Sequence, residues 1–291
     1  MIKNQYFKIC ISFFALWFFS VIPDKAALVL CYFSIFSLGL LHGTNDLEIL
    51  SKIYCKKLSF VKYLSVYLLL ISIAALLFIL FKKIAFALFL LLSFYHFGEQ
   101  HLNSKSFVYN WLKPLTYIIY GLFIFSILIL NNFNEVIAIT QKLFEIVLSK
   151  EIFIYTSWIS ILLFISILVY NSFNLNTFST FFEEVLYALL LYILFKASPL
   201  IVGFSVYFIV WHSIPSILDQ IHFLYGSSTV NSMLNYLKKS FLFWFISIVA
   251  VVFIYYFEDS LMLSSTIFGV LFVVSVPHIF VILLMNFMQK K

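Results

Sequence analysis

The chain has no arginine, only 12 acidic residues, 7 glycines, 5 prolines and 3 cysteines. Each shortage removes a class of function. Without a planar, bidentate guanidinium the protein is badly equipped to recognise phosphate or nucleic acid. Its net charge of +6, carried by 18 lysines, is therefore read as topological, and no nucleic-acid partner is expected. Scarce glycine and proline, with only 10% charged residues, exclude disorder and flexible linkers. Cys10, Cys31 and Cys55 follow no pairing pattern and imply neither a disulfide framework nor a thiolate metal site.

What is abundant is hydrocarbon. The composition is 64% hydrophobic, with mean hydropathy +1.09, a balance that makes a soluble single-core domain untenable. An all-α, polytopic transmembrane bundle is expected instead. Runs of about 20 apolar residues cross a bilayer as helices, and candidates fall near 5–22, 27–50, 61–81, 84–101, 112–131, 152–170, 181–197, 199–222, 240–257 and 262–287. About eight to ten helices in one integral membrane domain, residues 1–291, is the resulting expectation. The first run has a basic start, but Val21-Ile-Pro-Asp24 offers no small-residue cleavage site, so it is read as a retained helix. Lys52, Lys56, Lys57 and Lys62, the pair Lys238 and Lys239, and Lys3, Lys8, Lys290 and Lys291 near the ends are assigned to the cytoplasmic side. Lys82 and Lys83 would then face outward. The expected location is multi-pass in the cell (inner) membrane.

Three polar islands interrupt the apolar runs: Gly39 to Asp46, Tyr95 to His101, and Trp211 to His222. They hold five of the six histidines, and the sixth, His278, follows Pro277 in the last run. Ionisable groups in a bilayer are costly and mark function. In the ten-span reading the helices carrying His42, His96 and His101, His212 and His222, and His278 run in one direction. Their histidines gather toward one side of the membrane, as a metal site in a bundle core requires. Neutral imidazole suits iron, copper or zinc, whereas magnesium and calcium want oxygen donors that are scarce here. Asp46, Glu99 and Asp219 stand at helical spacing from His42, His96 and His212, where a carboxylate could receive the ring N–H of a ligand.

Each histidine also has a plainer reading. His42 could cap a helix end with Gly43, Asn45 and Asp46. His101, five residues after His96, does not share its helical face and is read equally as interfacial or as an additional ligand. His222, beside Phe223-Leu-Tyr-Gly226, reads as interfacial. His278 could serve the backbone carbonyl that Pro277 leaves without a donor. His96 and His212, inside long apolar runs, are the strongest ligand candidates.

In order, His42-Gly-Thr-Asn-Asp46, His96-Phe-Gly98, Trp211-His212-Ser213 and Pro277-His278 resemble the Brp/Blh family, bacterio-opsin-related membrane enzymes that cleave β-carotene at its central 15,15′ double bond. The resemblance spans about residues 38 to 280. It implies an iron-dependent dioxygenase using β-carotene and O₂, with Fe(2+) as cofactor, two molecules of retinal as products, and a microbial rhodopsin as recipient. By motif it implicates His42, His96 and His212 as ligands. The family pattern can carry another histidine one helical turn after His212. Here that position is Ser216, so His278 or His101 would complete the set, or three histidines would share the metal with water.

The bilayer would then be the source of substrate, a hydrocarbon entering laterally. Asp46, Glu99 and Asp219 would orient ligands. Membrane di-iron desaturases use denser HxxxH and HxxHH histidine runs, and six histidines with neither spacing argue against them. A bis-histidine haem protein using His96 and His212, a transporter using Glu183 and Glu184, and a non-catalytic carotenoid or opsin-assembly protein remain the alternative readings.

Overall fold

The computed structural model describes residues 5–54, 59–257 and 260–289. Lys3, Cys55, Lys56, Lys57, Lys290 and Lys291, which entered the readings above, lie outside these residues. Thirteen α-helices and no strand occur among the described residues. They begin with α1 (Gln5–Val21), α2 (Asp24–Ser34), α3 (Asp46–Ile53), α4 (Phe60–Leu80), α5 (Lys82–Leu102), α6 (Lys113–Asn131) and α7 (Phe133–Phe144). There follow α8 (Lys150–Leu175), α9 (Phe178–Ala197), α10 (Leu200–Val206), α11 (Ile214–Tyr225), α12 (Val230–Phe257) and α13 (Ser260–Gln289). One π-helical segment, Ile35–Gly39, continues α2, and another, Tyr207–Ser213, joins α10 to α11.

Seven of the described helices are long and apolar enough to cross a membrane: Phe60–Leu80, Asn110–Asn131, Lys150–Leu175, Phe178–Ala197, Leu200–Tyr225, Val230–Ala250 and Gly269–Gln289. The set is consistent with a multi-pass membrane protein and is smaller than the eight to ten expected. Tyr6–Val21 is apolar but shorter, and α5, which ends in a polar island, is not among the seven. The expected span over 27–50 is not one helix. It breaks at residues 42–45, where Thr44 Oγ1 donates to Leu41 O at 2.7 Å and the Asp46 N–H to Gly43 O at 3.4 Å. Asn45, Asp46 and Glu48 then open α3, two of them as acidic groups favoured at a helix N-terminus. Helix α7 had no counterpart in the expected spans. It is amphipathic, buries Thr140, Leu143 and Phe144, and ends at Glu145 with a left-handed φ of 55°.

By contact the chain forms two compact units. In the first, Met1–Tyr32 with Leu90–His212, α6 is central and packs on α8 and α9. An all-round apolar helix belongs in a core, and from Thr116 to Ile129 only Ile118 and Leu122 escape burial. The second half of α5 lies against α6 at two glycines. A Cβ on Gly98 would overlap the Tyr117 backbone, and one on Gly121 the Phe94 backbone. Small residues here allow two helix backbones to touch, the means by which helices associate where lipid removes the hydrophobic drive.

In the second unit, Phe33–Phe89 with Ser213–Lys291, α13 packs along α4, and α3 rests on both. Leu47, Ile49 and Leu50 of α3 meet Tyr63 of α4 and Val281, Ile282 and Met285 of α13. A second cluster joins Leu41 to Ile217, Ile221 and Tyr236. Helix α11 ends in Gly226, whose φ of 75° suits glycine, with its N–H on His222 O at 2.8 Å. Lys52 Nζ donates to Phe223 O and Leu224 O at 2.7 and 2.8 Å, a cation placed on the negative end of the helix.

Candidate functional site

In the first unit His96 and His212 form a buried pair, 3% and 2% exposed. His96 rides on α5, which Gly98 seats against α6; His212 sits in the π-helical segment Tyr207–Ser213. Such π turns displace a side chain from ordinary helical register and recur at functional sites. The two rings meet edge to face, centroids 4.7 Å apart and planes at 74°. A haem using both as axial ligands would have to open this contact. Phe97 stacks on His212 at 4.1 Å and 21°, and Phe208 lies near-parallel to it at 5.6 Å. The neighbouring Trp211 is anchored by its indole N–H on Ser12 Oγ at 3.0 Å and by an edge contact with Tyr187 at 5.0 Å.

The second unit contains a corresponding pair, His42 and His278, 7% and 4% exposed, with ring centroids 4.6 Å apart at 86°. His42 follows the other π-helical segment and opens the 42–45 turn, and its Nδ1 is bonded to Gly39 O. His278 Nδ1 lies 2.9 and 3.1 Å from the two carboxylate oxygens of Asp46, which is itself 1% exposed. A carbonyl and an ionised carboxylate can only accept hydrogen bonds. Nδ1 therefore carries the proton in both rings, and in the neutral tautomer Nε2 carries the lone pair. A histidine tied through Nδ1–H to a carboxylate or carbonyl, with Nε2 turned to a metal, is the usual arrangement of a metal-ligating imidazole. The donor chemistry of these residues fits a divalent transition metal.

The other expected residues are placed as follows. The Asp46 carboxylate, which shares an island with His42, is bonded to His278. Glu99, 2% exposed, accepts from Tyr95 Oη at 3.5 Å. Asp219 is half-buried on α11. His101 Nε2 is 2.7 Å from Glu184 Oε2, its ring lies flat on Tyr120 at 4.5 Å and 4°, and Lys105 Nζ approaches Glu184 at 3.1 Å. His222 is exposed. Ser216 Oγ accepts from Gln220 Nε2 at 3.1 Å.

That last bond belongs to a network with no warning in the sequence. Gln220, fully buried, also donates to His42 O at 2.7 Å and accepts from Tyr236 Oη at 2.9 Å. Asn45 Nδ2 donates to Tyr236 O at 3.3 Å. The network ties both flanks of the non-helical turn to α11 and α12, and it gives Ser216 a structural duty. Tyr67 on α4, whose hydroxyl donates to Asp46 Oδ2 at 2.9 Å, is one of 18 tyrosines, and nothing in its sequence neighbourhood distinguishes it. Glu184 was visible only as a charge near a helix start.

No curated protein and no solved structure matches the chain. The profile of the beta-carotene 15,15′-dioxygenase family matches residues 33–286, a stretch that takes in all four polar motifs and both buried histidine pairs. The chain accordingly belongs to the beta-carotene 15,15′-dioxygenase family.

Proposed function

We propose that the protein cleaves β-carotene with O₂ at the 15,15′ double bond to give two molecules of retinal, using ferrous iron held by His42, His96, His212 and His278. The observation that carries this reading is the pairing of four buried histidines, two in each unit, in a chain with membrane-length apolar helices. Family membership supplies the substrate class. Ferrous iron, when bound, supplies the one-electron chemistry that lets O₂ react with a carbon–carbon double bond.

The chain's own residues have four tasks. Asp46 and Gly39 O hold His278 and His42 in the tautomer that offers Nε2. Phe97 and Phe208 fix the plane of the His212 ring and keep water from it. Glu99 and Asp219 are read as carboxylates near His96 and His212 that orient ligands, and His101 as held in reserve by Glu184. The apolar helix faces admit a hydrocarbon substrate from the bilayer of the cell membrane, and retinal leaves toward a microbial rhodopsin. A dioxygenase places one oxygen atom in each aldehyde, so no external reductant is needed.

The test is to express the chain in cells that accumulate β-carotene and to measure retinal by chromatography, beside His96→Ala and His212→Ala. Retinal from the unmodified chain, and its loss in both variants with membrane insertion intact, is the expected result. Unchanged β-carotene despite verified membrane expression overturns the reading and favours another carotenoid substrate or a non-catalytic carotenoid or opsin-assembly role.

A further inference from the structure

We infer that Tyr67 is a positioning residue of the metal centre, acting on His278 through Asp46; the inference rests on the metal reading just given. Three helices converge on one carboxylate. Asp46 opens α3, Tyr67 comes from the middle of α4, and His278 from α13 just after Pro277. The phenol donates to Oδ2 at 2.9 Å, and the imidazole Nδ1–H donates to Oδ1 at 2.9 Å. The same Nδ1 lies 3.1 Å from Oδ2, so the phenol and the imidazole meet on Oδ2 from different helices, and the two donors together hold the carboxylate plane that sets the tilt of the His278 ring. With Tyr67 Oη removed, a carboxylate 1% exposed keeps its contacts with the imidazole and loses the donor from α4 that limits its rotation about the Cβ–Cγ bond. Nε2 of His278, the atom offered to a metal, then loses its fixed direction. Outer partners of this kind change metal affinity by about ten- to a hundred-fold when removed.

The structure supplies an internal control. Tyr67 and Tyr63 stand one turn apart on α4 and line the same apolar groove of about 250 Å³, with Leu50, Val66, Pro277 and Phe280 among its other walls. Among the described residues the Tyr63 hydroxyl has no hydrogen-bond partner, whereas that of Tyr67 reaches Asp46. Removing either phenol oxygen leaves a similar apolar ring in the same wall. Only one removal touches the relay.

The experiment uses the full chain in detergent, stripped of metal and titrated anaerobically with Co²⁺ alone, whose visible absorption reports ligand geometry, and in parallel with Fe²⁺. Tyr67→Phe is expected to weaken both metals by about ten-fold or more and to shift the Co²⁺ bands, while Tyr63→Phe leaves affinity and bands unchanged. Equal binding by Tyr67→Phe and the unmodified chain overturns the inference, as does an equal loss in Tyr63→Phe. Should Tyr67→Phe not fold, 3-fluorotyrosine at position 67 keeps the shape and alters the strength of the bond: shifted Co²⁺ bands support the relay, and unshifted bands overturn it. If the unmodified chain itself binds neither metal, the metal reading falls and takes the relay with it. That failure is separate, because it shows before any substitution is made.

Discussion

Phe97 lies flat against His212, centroids 4.1 Å apart, although the two come from different helices and Phe97 follows His96 directly in the chain. One side chain of the His96-Phe-Gly98 motif thereby supports the histidine of another. Phe97→Ala should cost about 3 to 5 kcal/mol through the cavity it leaves. Phe97→Leu should cost below about 1.5 kcal/mol, yet lower the iron retained per chain, because a branched aliphatic cannot hold the imidazole plane. Thermal unfolding with metal analysis on the same samples separates the two effects, and full iron retention in Phe97→Leu would show that the stack serves packing alone.

The position of Ser216 yields a second expectation. Its hydroxyl accepts from Gln220, so Ser216→Ala should cost about 1 kcal/mol and leave metal binding intact. Gln220→Leu should cost more, about 1 to 3 kcal/mol, since His42 O loses its donor and the buried Tyr236 hydroxyl keeps only the longer bond to Leu41 O at 3.3 Å. It should also lower metal affinity by loosening the 42–45 turn. Loss of metal in Ser216→Ala would make that serine part of the site.

Gly98 and Gly121 are where α5 and α6 touch through their backbones. Gly98→Val should prevent the approach and destabilise the chain by more than the 1 to 3 kcal/mol typical of an overpacked core, because the atoms in the way are backbone. The expected readout is loss of monodisperse protein in detergent. A variant that purified and melted normally would mean the two helices are farther apart than found.

His222 and the contact between His101 and Glu184 should respond in opposite ways. His222 is exposed, and His222→Ala should change neither iron content nor melting temperature. His101 shares a buried contact with Glu184, whose side chain is fully enclosed and which also meets Lys105. Glu184→Ala takes the acceptor from buried His101, while Lys105 keeps Glu183 at 3.5 Å, and should cost about 1 to 3 kcal/mol, whereas Glu184→Gln should recover part of it. The comparison is made by thermal unfolding in one detergent.

Much of this protein could be read before any coordinates. Helices α4, α6, α8, α9, α12 and α13 and the run from α10 to α11 coincide with apolar stretches of bilayer length, since a 1.5 Å rise per residue against a fixed hydrocarbon thickness leaves little freedom. His42, His96, His212 and His278 were legible for a related reason: an imidazole in a greasy run carries a desolvation cost that only use or pairing repays. The break at residues 42–45 was harder, because Gly43, Thr44 and Asn45 read equally as helix end and as polar interior. Helix α7 was missed because its apolar residues recur on one face only, too few for a span.

Composition and spacing by themselves therefore determined the class of protein, the approximate spans and the histidines worth testing, while the family came from the resemblance carried by the ordered motifs. Each follows from local chemistry that a single stretch of chain expresses. Tertiary structure alone decided which histidine pairs with which, that Asp46 is bonded to His278, that Glu184 claims His101, and that Tyr67 and Gln220 belong to the polar interior at all. Those outcomes depend on contacts between helices distant in sequence, where a phenol or an amide gains its role only from the carboxylate or carbonyl that packing sets opposite it.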